Sequence, residues 1–116
     1  MLTIYHNPRC SKSRQTLALI EEQNYEVTVV EYLKNPLNVT EIETLLTLLN
    51  VSPLEMMRTK EAEFKEQNLS QADNAMLIAA MAATPKIIER PIVSDQTRAI
   101  IGRPPENVLT LMQAKN

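Results

Sequence analysis

Two short apolar runs with one amphipathic segment between them restrict the fold of this chain more than any other feature. Leu2 to His6 alternates Leu, Thr, Ile, Tyr and His, and a period of two marks a strand. Tyr25 to Tyr32 carries Val27, Val29 and Val30, β-branched residues that suit a pleated surface. Asn7-Pro8 breaks the first run, and Ser11 to Gln23 turns helical. Ser13, Leu17 and Ile20 share one face of that helix, while Glu21 and Glu22 keep the other in water. Two strands joined only by a helix pair in parallel, through a right-handed crossover.

The rest of the chain supplies the partners for this βαβ unit. Lys34-Asn35-Pro36 opens a loop. Thr40-Glu41-Ile42-Glu43 has capping-box spacing, ahead of an apolar stripe of Ile42, Leu45, Leu46 and Leu49. Ser52-Pro53-Leu54-Glu55 repeats the signal and predicts a short helix through Met56, Met57 and Arg58. Phe64 anchors another short helical piece. Ser70 to Asp73 offers caps for a helix ending near Ala83, which Thr84-Pro85 terminates. No strand signal appears between 40 and 84. Ile92-Val93-Ser94, a polar turn at Asp95-Gln96-Thr97, and Ala99-Ile100-Ile101 read as a hairpin closed by Gly102, the only glycine. Pro104-Pro105 precedes a last helix with Val108, Leu111 and Met112 on its apolar face. A βαβ unit and a ββα unit around one mixed four-stranded sheet give an α/β, thioredoxin-like fold. The chain is expected to be a single domain over 1–116, with a helical insertion at about 40–84.

At 116 residues and 44% hydrophobic content, the chain has enough apolar material for a globular core. A single cysteine supports no disulfide framework and favours a reducing compartment. The N-terminus lacks a basic region followed by an apolar one, and no apolar run approaches the ~20 residues of a membrane span. The expectation is a cytoplasmic monomer with no membrane association. The net charge is −2, so basic features are local, and a general nucleic-acid binder is not indicated. A small anion held by a few arginines is compatible with that balance.

Cys10 concentrates the chemistry. It follows a strand and a Pro-broken loop and directly precedes a helix, where unpaired N–H groups and the positive end of the helix dipole favour an anion. A cysteine so placed has a lowered pKa, and its thiolate is a nucleophile. Arg9 and Arg14 add positive charge, and Ser13, one turn on, is placed for its hydroxyl to donate to the thiolate. The alternative is a buried structural cysteine, but Arg9, Ser11, Lys12 and Ser13 make a polar stretch that argues against burial. The same helix start binds oxyanions. A thiolate facing an anionic substrate needs compensating cations, and arginine's planar fork suits oxyanions. Arg58, Arg90 and Arg103 stand before loop or turn features, and the last two precede prolines that fix the local backbone. Arg90-Pro91 opens the hairpin at a place that allows a cis peptide. Arg98 reads as a surface strand residue. His6 either tunes the thiolate or organises the loop by hydrogen bonds. One Cys and one His do not fill a metal's tetrahedral set, so no metal is expected.

Tyr5-His6-Asn7-Pro8-x-Cys10-x-x-Ser13-Arg14, followed by Arg90-Pro91-Ile92-Val93 and Gly102-Arg103-Pro104, resembles the glutaredoxin-dependent arsenate reductase (ArsC) family. The resemblance covers essentially the whole chain in order. The chain is expected to group with the short chromosomal members, which lack the C-terminal extension of some plasmid-borne ones. The resemblance implies a thioredoxin-like fold with a helical insertion, and reduction of arsenate to arsenite. No cofactor would be bound. Glutathione would be the cosubstrate and glutaredoxin the electron-donating partner. By the same resemblance Cys10 matches the catalytic cysteine, Arg58, Arg90 and Arg103 the arginines holding the arsenic oxyanion, and His6 and Ser13 positions that influence the thiolate. Two other readings belong to the same fold. An Spx-like regulator binding RNA polymerase typically carries a CxxC switch, but here Ser13 replaces the second cysteine. A glutathione-dependent thiol reductase for another substrate would use the same arginines for glutathione's carboxylates.

Overall fold

The computed structural model describes residues 2–113. The chain divides into two compact units. One runs to Tyr32 and resumes at Arg90, and the other is Leu33–Glu89.

The first unit contains strands β1 (Leu2–Tyr5), β2 (Val27–Val30), β3 (Ile92–Ser94) and β4 (Ala99–Ile101), with helices α1 (Ser11–Glu22) and α5 (Leu109–Gln113). Its sheet has the order β2-β1-β3-β4. β1 and β2 are parallel, with Leu2 opposite Val27 and Tyr5 opposite Val30, as a helix-only connection requires. β3 pairs antiparallel with β1 and with β4, in register Ile4 to Val93 and Val93 to Ile100. This is the thioredoxin-like arrangement expected from the element order. The strands are shorter than their apolar runs, but pairing continues past β1, because His6 N–H donates to Val30 O at 2.8 Å. Leu2 and Ile4 on β1, Ile20 on α1, Val93 on β3, and Val108, Leu111 and Met112 at the C-terminal end pack into one buried cluster. Each such side chain contributes about 1.5–3 kcal/mol by leaving water.

The hairpin turn is held by one carboxylate. Asp95 Oδ1 accepts from the N–H groups of Thr97 and Arg98, both at 2.8 Å. Burial raises the Asp95 pKa, but those N–H bonds and the Arg98 charge outweigh it and hold the carboxyl below its ordinary value. Arg98, expected on the strand surface, keeps its side chain 39% exposed and also ties the hairpin to α5. Its Nη2 donates to Leu111 O at 3.2 Å and lies 3.7 Å from Asp95 Oδ2.

The second unit holds α2 (Val39–Leu49), α3 (Ala62–Glu66) and α4 (Asn74–Ala83), joined by 3₁₀ turns. The capping box of α2 sits two residues earlier than Thr40 suggested. Asn38 is extended and accepts Glu41 N–H at 2.8 Å, while Glu41 Oε1 accepts Asn38 N–H at 2.9 Å. Asn and Thr both cap well, and the choice falls to the residue with non-helical backbone. Asn50 ends α2 in the left-handed region, at φ 58°, which asparagine tolerates. The helix expected through Met56, Met57 and Arg58 stops as a 3₁₀ turn at Pro53–Met56. Met57 is extended and bridges to Ile88. The reason is distant in sequence: Arg58 N–H donates to Ile87 O at 2.6 Å, and Glu89 N–H to Met56 O at 2.8 Å. These bonds claim backbone groups that a continuing helix would need. Asp73 caps α4 by accepting Met76 N–H at 2.9 Å.

Asp95's folded pKa is depressed, so its contribution is present above the unfolded carboxyl value and is lost as pH falls through the folded one. Asp95→Asn keeps an acceptor and removes the charge. It is expected to cost about 1 kcal/mol at pH 7 in urea unfolding. The difference from the parent should shrink below about pH 4.

Candidate functional site

The site grows from the loop that β1 feeds into α1. Asn7 organises it through three groups. Its carbonyl accepts Cys10 N–H at 3.0 Å. Its Oδ1 accepts Arg9 N–H at 3.0 Å, and its own N–H donates to Ser13 Oγ at 3.1 Å. Arg14 braces the same loop from α1 by donating from Nη1 to Pro8 O at 3.0 Å. Cys10 is thereby set at the N-cap of α1 with φ −93° and ψ 122°.

An N-cap side chain ordinarily carries an oxygen that accepts from the first-turn N–H groups. Here that position carries sulfur. Burial pushes the Cys10 thiol up. The backbone N–H of Ser13, the Arg90 guanidinium and the backbone N–H of Lys12 act in the other direction and prevail, so the pKa lies below that of an ordinary thiol. Arg103 Nη1 stands 3.9 Å from Cys10 Sγ and donates to Arg90 O at 3.2 Å. Arg90 Nε is buried without a hydrogen-bond partner among the described residues. Both Arg90-Pro91 and Arg103-Pro104 are cis peptides.

His6 and Ser13 lie beneath this surface, 6% and 0% exposed. Ser13 Oγ lies 2.6 Å from His6 Nδ1 and also accepts Asn7 N–H. The hydroxyl is therefore engaged with the loop, and Ser13 serves the sulfur through its backbone N–H. That differs from the hydroxyl donation its spacing suggested. Burial lowers the His6 pKa, Arg14 adds to the lowering, and Glu31 opposes it.

The first unit thus brings together Cys10, Arg90, Arg103, His6 and Ser13. Arg58 belongs to the second unit, where its Nη1 lies 3.4 Å from Glu89 Oε1 and its Nε 3.8 Å from Glu61 Oε2. Sequence reasoning passed over Asn7, whose one signal was its place before a proline, and Thr16, a polar residue fully buried on α1. Among the described residues, no cluster of three His, Cys, Asp or Glu is placed to hold a metal. No described helix is long and apolar enough to cross a membrane.

A model of the ArsC family matches residues 5–111. The Escherichia coli protein YfgD is 49% identical over 112 residues, 94% of each chain. An arsenate reductase of Haemophilus influenzae is 42% identical over 112 residues, which are 94% of this chain and 97% of that one. The solved structure of an arsenate reductase from Vibrio cholerae has a TM-score of 0.90 at 49% identity, covering 94% of this chain and 95% of the other.

The lone thiol makes its titration directly measurable. Alkylation by iodoacetamide should rise with pH around a midpoint below that of an ordinary cysteine thiol. Arg90→Ala removes a positive charge that favours the thiolate, so its midpoint should lie higher than the parent's.

Proposed function

The chain belongs to the ArsC family, and on that premise we propose that it reduces arsenate to arsenite through Cys10, with glutathione and glutaredoxin as electron donors. The observation that carries the reading is the sulfur at the N-cap of α1, 3.9 Å from Arg103 Nη1, where backbone N–H groups and Arg90 lower the thiol pKa.

Cys10 thiolate attacks the arsenic of arsenate. A sulfur–arsenic bond forms, and an arsenate oxygen leaves as water after protonation. Glutathione thiolate then displaces a second oxygen, again as water, leaving arsenic(V) bonded to both sulfurs. A glutaredoxin thiolate attacks the glutathione sulfur. The sulfur–arsenic bond to glutathione breaks, its electron pair stays on arsenic, and a mixed disulfide departs. Arsenic(III) remains on Cys10, and water releases arsenite and regenerates the thiol. The two electrons come from the two outside thiols. With Ser13 where a CxxC protein has its second cysteine, no internal disulfide competes with this route. Arg90 and Arg103 stabilise the oxyanion as charge builds on its oxygens. The resemblance extends the same duty to Arg58, whose test is its own variant. His6 and Ser13 position the loop from which the sulfur attacks.

In a coupled assay with glutathione and glutaredoxin, Cys10→Ser should abolish arsenate reduction. Serine is a good helix cap, so that variant should remain folded. Arg90→Ala and Arg58→Ala should each lower kcat/KM for arsenate by about 100-fold or more. Turnover retained in Cys10→Ser would reject the mechanism.

A further inference from the structure

We propose that Thr16 and Gly102 form a spacer that sets how closely Arg90 and Arg103 approach Cys10 Sγ. Gly102 is the chain's one glycine, yet its φ is not positive. Its backbone conformation therefore does not call for glycine. Space does. A β-carbon at 102 would lie 2.7 Å from Thr16 Oγ1, 2.9 Å from Pro91 Cγ and 3.1 Å from Thr16 Cγ2. Carbon contacts settle at about 3.5–4 Å, so one added methyl group forces α1 and the Gly102 turn apart by roughly half an ångström or more.

Both sides of this contact lead to the sulfur. Thr16 is fully buried, and its Oγ1 donates to Lys12 O at 2.8 Å and lies 3.4 Å from Gly102 O. It thus touches the turn of α1 whose N–H groups serve Cys10. On the other side, Gly102 N–H donates to Pro91 O at 2.9 Å, next to Arg90. Arg103 N–H donates back to Ile101 O at 2.9 Å, closing a tight turn on Gly102. Asn107 Nδ2 donates to Ile101 O at 3.3 Å and to Arg103 O at 3.2 Å, so the turn that carries Arg103 is itself braced. A rigid turn transmits displacement at Gly102 to both arginines. Thr16 and Gly102 are positioning residues, since neither touches the sulfur.

The proposal rests on the reading of Cys10 as a thiolate, and its test uses alkylation rather than arsenate turnover. Failure of the arsenate assay and failure of the spacer are therefore separate results. In folded Gly102→Ala, checked by circular dichroism, the midpoint of iodoacetamide reactivity against pH should rise by about one pH unit, the scale of a weakened hydrogen bond to a charged group. Adding Thr16→Ala removes two of the three close contacts, those with Thr16, leaves the one with Pro91, and should restore at least half of that shift. Thr16→Val puts a methyl group where the hydroxyl meets Gly102. It should move the midpoint in the same direction by less, and it replaces Gly102→Ala as the probe if that variant folds poorly. A midpoint equal to the parent's in a folded variant overturns the proposal. So does a Gly102→Ala, Thr16→Ala double variant no closer to the parent than Gly102→Ala alone.

Discussion

The placement of the Cys10 sulfur at the N-cap of α1, against first-turn N–H groups that favour its ionised form, is the constraint on which the site depends. A helix begins with N–H groups that lack intrahelical partners, and the chain must provide acceptors for them. Most helices use a side-chain oxygen. Here the N-cap provides sulfur, and its ionised form is the better acceptor. Helix stability and thiol acidity thus reinforce one another. The sheet contributes indirectly: β1 is paired on both sides, so the loop that follows it starts from a fixed point. Asn7 carries that rigidity to Cys10 through bonds on its carbonyl, amide and side chain.

Charge distribution supports the same end. The chain is acidic overall, but no Asp or Glu precedes Glu21. The thiol is therefore surrounded in sequence only by cations and neutral groups. Arg90 and Arg103 arrive from the other end of the chain on two Arg-Pro segments. Burial of the sulfur opposes ionisation, and the donors around it outweigh burial. Arg58 is in a different electrostatic position, with two carboxylates close to its guanidinium.

What was legible in the sequence was local. The period of two in Leu2 to His6, the helical spacing after Cys10 and the turn residues at Asp95 produce the elements found, in the expected order and pairing. The position of Cys10 before a helix start followed from Asn7-Pro8 and the switch in periodicity. The features that escaped depend on residues distant in the chain. Met57 and Arg58 leave the helical pattern because Ile87 and Glu89 bond their neighbourhood. Ser13's hydroxyl turns to His6 and Asn7, a choice that helical spacing alone does not decide. Arg98 reaches from the hairpin to Leu111 on α5. Gly102 read as a turn closer, and only its contact with Thr16, on a helix 86 positions earlier, shows why no side chain fits there.

Intact-protein mass spectrometry tests the central claim most directly. The protein would be incubated with arsenate and glutathione and without glutaredoxin, so that the step releasing glutathione cannot proceed. The account predicts an added mass of one arsenic centre plus one glutathione, localised to Cys10 and absent from Cys10→Ser. Protein that stays unmodified under these conditions, or an adduct that persists in Cys10→Ser, would contradict it.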